Sequence, residues 1–150
     1  MQVLRMFDWP PVWLVLFVAL AWLTAMPVAS GAAATFLHFA GWATIGLGAG
    51  LMGLAAREMA RAATTIVPGR DPTRLVTRGV FAWSRNPIYL GDLMILAGLS
   101  LIWQSWIGLA LVPVLGRVLA RRFIEDEEAR LRRMFGAEAE AWMGRVRRWL

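Results

Sequence analysis

No cysteine occurs in this 150-residue chain, so disulfides, thiolate nucleophiles and cysteine-bound metals are excluded. Lysine is absent too, and apart from one histidine every basic residue is arginine. That histidine, His38, sits within an apolar run with no second ligating side chain near it in sequence. It reads as a packed, neutral imidazole, and no metal is expected. There is no Gly-x-x-x-x-Gly-Lys phosphate loop. Gly46, Gly48, Gly50 and Gly53 fall inside an apolar run, where they suit close helix packing. Nor does any helix-turn-helix or stacking platform accompany the arginines, so nucleic acid is not an expected partner.

What the chain has in plenty is apolar sequence, 59% of its residues, gathered into long runs. Residues 12–29 and 36–56 carry no charged side chain, and each is long enough to cross a hydrocarbon layer of roughly 30 Å at about 1.5 Å per residue. Residues 88–103, which include Asp92, and 106–120, which include Pro113 and Arg117, are shorter and fit a hairpin packed against the first pair. Gln104-Ser105 between them allows only a tight reversal. The expected fold is an all-α, polytopic membrane bundle of about four transmembrane helices with a cytoplasmic C-terminal amphipathic helix, residues 1–150 forming one domain. The first run is longer than the apolar core of a secretory signal and contains Trp13 and Trp22, so it is expected to stay as a helix.

Arginine placement sets the orientation, because cytoplasmic loops are enriched in basic residues. Arg57, Arg61, Arg70, Arg74, Arg78 and Arg85 lie between the second and third runs, and most of the others follow the fourth. Residues 30–35 and 104–105 carry no charge. Both termini are therefore expected in the cytoplasm, and the arginine-only composition suggests a bacterial inner membrane. The net charge of +6 is one-sided and favours contact with anionic lipid headgroups.

In the second-to-third connection, Pro68-Gly69 is a turn signal. The apolar stretches Leu75-Val76-Thr77 and Val80-Phe81-Ala82-Trp83 are too short to span and should lie against the membrane helices, with Trp83 at headgroup level. On a helical wheel of the tail, Phe123, Ile124, Leu131, Met134 and Phe135 share one arc, with Glu127 inside it and Glu128 at its edge. Glu125 and Asp126 are explained by pairs with Arg121, Arg122 and Arg130 on a solvated face. Glu127 puts a carboxylate among apolar groups, which is costly without partners. Phe135, Ala139, Trp142, Val146 and Trp149 continue an amphipathic stripe interrupted only by Gly136, fit to fold back along the bundle and close a site from below.

Arg85-Asn86-Pro87-Ile88-Tyr89-Leu90-Gly91 joins the basic connection to the third run. Pro87 suits the first position of a helix and Asn86 its cap. Together with Leu75-Val76-Thr77 and Gly79 to Ser84 before it, this segment resembles the signature of isoprenylcysteine carboxyl methyltransferases and related membrane methyltransferases, phospholipid methyltransferases among them. A second motif, Glu127-Glu128, Leu131, Phe135-Gly136, Trp142, Val146 and Arg148, is similar to the Glu-Glu-x-x-Leu-x-x-x-Phe-Gly half of that signature, and the likeness covers residues 64–149.

The resemblance implies a cytoplasmic-side S-adenosylmethionine site contacted by Leu75, Val76, Phe81, Asn86, Pro87, Tyr89, Glu127 and Glu128. It makes Arg122 the candidate for holding an acidic acceptor group, and leaves Asp92 as a candidate for positioning the acceptor or for proton transfer. Animal members of the family carry His at Asn86 and Tyr at Phe81 and Ala139, so Phe81 offers one polar contact fewer. The implied reaction is methyl transfer to a lipophilic or lipidated acceptor, with isoprenylcysteine-like carboxylate O-methylation in the lead and membrane lipids as neighbours. Phospholipid N-methylation and a non-catalytic membrane scaffold are the alternatives.

Overall fold

The computed structural model describes residues 9–64 and 72–150. They form five α-helices, α1 (Pro10–Leu23), α2 (Gly31–Arg61), α3 (Pro87–Ile102), α4 (Trp106–Leu119) and α5 (Glu125–Arg145), and no strand occurs among them. The Pro68-Gly69 turn lies outside the described residues. α2, at 31 residues, is the helix long and apolar enough by itself to cross a membrane. α1, α3 and α4 are apolar but shorter, at 14, 16 and 14 residues.

The exterior explains the composition. Val15, Leu16, Leu20 and Trp22 on α1, Phe36, Phe39, Trp42 and Leu47 on α2, and Trp106, Ile107 and Val114 on α4 are all exposed. A belt of large apolar side chains this extensive is stable in lipid and not in water. His38 stands on the exposed α2 face, its Nδ1 2.9 Å from the Ala34 carbonyl. It is therefore not packed as expected, since the neighbouring helices contact the other side of α2.

α1 stops at Leu23, short of the expected end at residue 29. Pro27 disfavours helical backbone at the residue before it, and Thr24 turns its hydroxyl back onto the Leu20 carbonyl at 2.8 Å. The same hydroxyl meets Ser105 Oγ at 3.0 Å, and Ser105 caps α4 by accepting from Gly108 N at 2.9 Å. Gln104 takes the left-handed backbone (φ 55°) that the tight reversal demands. Its side-chain amide fixes the turn through both backbone groups of Ala29, at 2.7 and 3.2 Å.

α2 and α3 run antiparallel in close contact through glycines. A Cβ on Gly41 would stand 2.6 Å from the Gly98 carbonyl, and one on Gly48 would stand 3.0 Å from the Gly91 carbonyl. Only hydrogen fits there. Of the four glycines singled out in sequence, Gly48 alone serves this contact, because Gly46, Gly50 and Gly53 face open space.

α4 ends at Leu119, within a residue of the expected end of the fourth span, but helical backbone does not stop there. Its backbone passes through a π-helical turn (Ala120–Ile124), with Glu125 N–H bonding the Ala120 carbonyl, and continues into α5 as one rod. The wider turn shifts helical phase between α4 and α5; Met134 is exposed, not in the apolar arc. Gly136 (φ 50°, ψ −125°) kinks α5, a conformation open essentially to glycine alone. The helix finishes at Arg145 and Val146 is extended, so Trp149 is not the last turn of the stripe. It packs instead against the α1–α3–α4 core with Leu115, Leu119 and Ile124. A second core gathers Ala55, Val76, Val80, Phe81, Trp142 and Val146 at the other end of α2, so the segment before α3 does lie against the bundle, while Trp83 is exposed.

Candidate active site

The two motifs meet because α3 begins where the expected signature turns. Pro87 is the first residue of α3, its fixed φ and missing N–H matching that position. Asn86 stands at the cap position, but its side chain makes no cap bond. Its Nδ2 donates instead to the Arg148 carbonyl at 3.0 Å, beside Arg85 N–H donating to the Arg147 carbonyl at 3.0 Å. These bonds strap the C-terminal segment across the start of α3. Trp142 adds a third tie, donating its Nε1–H to the Phe81 carbonyl at 3.0 Å.

Glu127 and Glu128 differ by one residue and so face about 100° apart on α5. Glu127 turns to Tyr89, whose hydroxyl donates to Oε1 at 2.8 Å; the Tyr89 ring is braced by Phe123 with centroids 6.5 Å apart. Burial pushes the Glu127 carboxyl above the usual carboxylate range, while the Tyr89 bond and the Arg130 charge pull it back down. Glu128, 5% exposed, accepts two bonds from Arg148, at 3.1 and 2.8 Å, and lies 3.3 Å from Arg85. The bonds to Glu128 raise the Arg148 guanidinium above its ordinary value, whereas burial lowers that of Arg85. Sequence placed Glu128 at the edge of the apolar arc, yet it is the more buried of the pair. Glu125, expected to pair with Arg121, is 3.7 Å from Arg148.

All eight expected cofactor contacts, Leu75, Val76, Phe81, Asn86, Pro87, Tyr89, Glu127 and Glu128, line a single cavity of about 330 Å³. Asp92 lines it too. It is 6% exposed and has no hydrogen-bond partner among the described residues. Arg122 is not part of the cavity; its guanidinium lies 5.0 Å over the Trp13 ring on α1, because the π turn carries it to that side. The cavity wall also includes Trp9, Pro10 and Pro11 at the start of α1, Met52 and Met59 on α2, and Arg130, none of which sequence reasoning found. An apolar side chain on a membrane helix has the same pattern whether it faces lipid or a cavity. The one available signal was Trp9-Pro10-Pro11, an aromatic and two prolines at the head of an apolar run.

The lining combines apolar walls with carboxylates and arginines held in fixed pairs, and one buried polar atom, Arg85 Nε, has no hydrogen-bond partner. Among the described residues no cluster of His, Asp and Glu could hold a metal. Fold and cavity together describe an all-helical protein with one clear membrane-length helix and a cavity at one end of its bundle. The phospholipid methyltransferase family profile matches residues 36–138, and the chain belongs to that family, one of the membrane methyltransferase superfamily that also holds the isoprenylcysteine carboxyl methyltransferases. No curated protein and no solved structure matches it.

Proposed function

We propose that this protein transfers a methyl group from S-adenosylmethionine to a lipid-borne acceptor at the cytoplasmic face of the membrane. The observation that carries the reading is the convergence of Tyr89, Glu127, Asp92 and the Arg85–Glu128 pair on one cavity within a methyltransferase-family chain. The donor set suits the cofactor. A cationic sulfonium calls for a carboxylate, which Glu127 offers, and a carboxylate calls for a donor such as the free Nε of Arg85. Leu75, Val76, Phe81 and Ile88 offer apolar surface for a purine. When bound, the cofactor supplies an electrophilic methyl group.

The chain's own part is to hold acceptor and methyl group in line and keep water away. An amine is the favoured acceptor, because the buried Asp92 carboxylate lines the cavity without a hydrogen-bond partner among the described residues. The acceptor nitrogen would take the methyl group from the cofactor, which leaves as the neutral thioether, and Asp92, which lines the cavity, would take the proton that the nitrogen gives up. Isoprenylcysteine-like carboxylate O-methylation is the second reading, in which no base is required. The bundle is read as four crossings of a bacterial inner membrane with both termini cytoplasmic. The lipid-type exterior of α1, α2 and α4 and the arginine-rich cavity end support that reading, as they do a single domain over residues 1–150.

Isothermal titration of the detergent-purified protein with S-adenosylhomocysteine tests the core of this. Wild type should bind, and Glu127→Ala and Tyr89→Phe should weaken binding roughly tenfold or more, as loss of a charge-assisted hydrogen bond does. A well-folded wild type that binds nothing would sink the enzyme reading in favour of a scaffold. Labelled S-adenosylmethionine given to membranes separates the acceptors, by label in lipid headgroups or in base-labile esters.

A further inference from the structure

α3 has a second flank, away from the cavity. There Leu90 and Leu93 form the floor of a groove of about 480 Å³ that shares no residue with the candidate active site. Its far wall is α4, where Gly116 leaves the backbone bare: a Cβ there would be 3.3 Å from Leu93 and 3.8 Å from the Trp149 ring. Arg117 and Arg121 are exposed at its upper rim, and neither has an ion-pair partner among the described residues. The one acid of the groove, Glu125, is already 3.7 Å from Arg148. Three arginines therefore face one engaged glutamate.

The groove thus has an apolar lower half on membrane helices and a basic rim where those helices leave the bilayer, closed at one side by a tryptophan. That order of surfaces, apolar, aromatic, then cationic, is the order met along a phospholipid from acyl chain to phosphate. We propose that this groove binds an anionic phospholipid, its phosphate held by Arg117 and Arg121 and its first acyl carbons against Leu90 and Leu93, as a site separate from the acceptor's. The guanidinium fork matches a phosphate bidentately, which a diffuse surface charge does not. The proposal rests on the membrane crossing of α3 and α4 and not on methyl transfer.

Native mass spectrometry of the detergent-purified full chain, titrated with phosphatidylglycerol or phosphatidylcholine, provides the test. Wild type should retain one phosphatidylglycerol in preference to phosphatidylcholine, and R117Q/R121Q should weaken that retention about tenfold or more. R132Q/R133Q removes the same charge from the exposed face of α5 and should leave retention unchanged. Equal loss in both double variants, no preference between the two lipids, or equal binding of inorganic phosphate alone would each overturn the proposal. A phosphatidylglycerol with a photoreactive acyl chain gives a readout on wild type independent of variant folding: adducts should map to Leu90, Leu93 or Trp149, and adducts spread evenly over the apolar belt would count against the site. S-adenosylhomocysteine titration of the same samples shows separately whether the methyltransferase reading stands.

Discussion

Replacing Glu128 by alanine should be among the most damaging single changes outside the apolar core. Its carboxylate is 5% exposed and carries two bonds to Arg148, at 3.1 and 2.8 Å, and an ion pair to Arg85 at 3.3 Å. Removing one partner of a buried charged group costs about 3–5 kcal/mol, since the charge left behind has no compensation. The Arg148 side chain is 32% exposed and can regain water, whereas that of Arg85, at 14%, cannot, so a value near the lower limit, about 3 kcal/mol, is expected. At about 2–4 °C per kcal/mol for a chain of this size, the midpoint of thermal unfolding should fall by roughly 6–12 °C. The control is built in: Glu125→Ala removes a carboxylate that is 54% exposed and 3.7 Å from the same Arg148, and exposed pairs contribute at most about 1 kcal/mol. Detergent-phase thermal unfolding of both variants decides it. If Glu128→Ala melts within a degree or two of Glu125→Ala, the network is not what holds the strap to α5.

Gly98→Ala puts a methyl group 2.6 Å from the Gly41 carbonyl and should destabilise the α2–α3 contact by about 1–3 kcal/mol, while Gly46→Ala, facing open space, should be neutral; comparing their unfolding midpoints tests the pair. Trp142→Phe leaves the buried Phe81 carbonyl without its 3.0 Å donor and should cost about 1–3 kcal/mol, read from the same assay with loss of cofactor-analogue affinity. Burial holds the Glu127 pKa above its unfolded value, so without ligand this group favours the fold most below the ordinary carboxylate range, and that contribution is lost as pH rises through the folded pKa. A bound sulfonium needs the ionised form, so the preference for S-adenosylmethionine over S-adenosylhomocysteine should fall as pH drops, beginning above the usual carboxylate range. Glu127→Gln should show no such pH dependence in parallel titrations.

Where a residue's chemistry was at odds with its surroundings, the sequence was legible. Pro87 fixed the start of α3 to the residue, and Glu127 was conspicuous because a carboxylate stood in an apolar arc. The eight residues read as one cofactor site do line one cavity. What depended on tertiary geometry was not readable. The π turn leaves no mark in composition, yet it carries Arg122 to Trp13. Asn86 carries the expected residue type for a cap but is drawn to the Arg148 carbonyl by a segment 62 positions away. Glycines on α2 look alike in sequence, and only the approach of α3 separates Gly41 and Gly48 from Gly46, Gly50 and Gly53.

The strap across the start of α3 has a consequence for the order in which the molecule assembles. Its bonds join residues 61 or 62 positions apart, whereas α3 and α4 meet through a three-residue turn. Contacts of short separation form first, since they close small loops. The helical hairpins therefore pair early, and the cavity acquires its wall in the last step of folding. Run in reverse, the same order has the strap release before the helical hairpins separate. Amide exchange should then be faster at Arg85 than in the middle of α3, and a ligand in the cavity would act as the final folding contact.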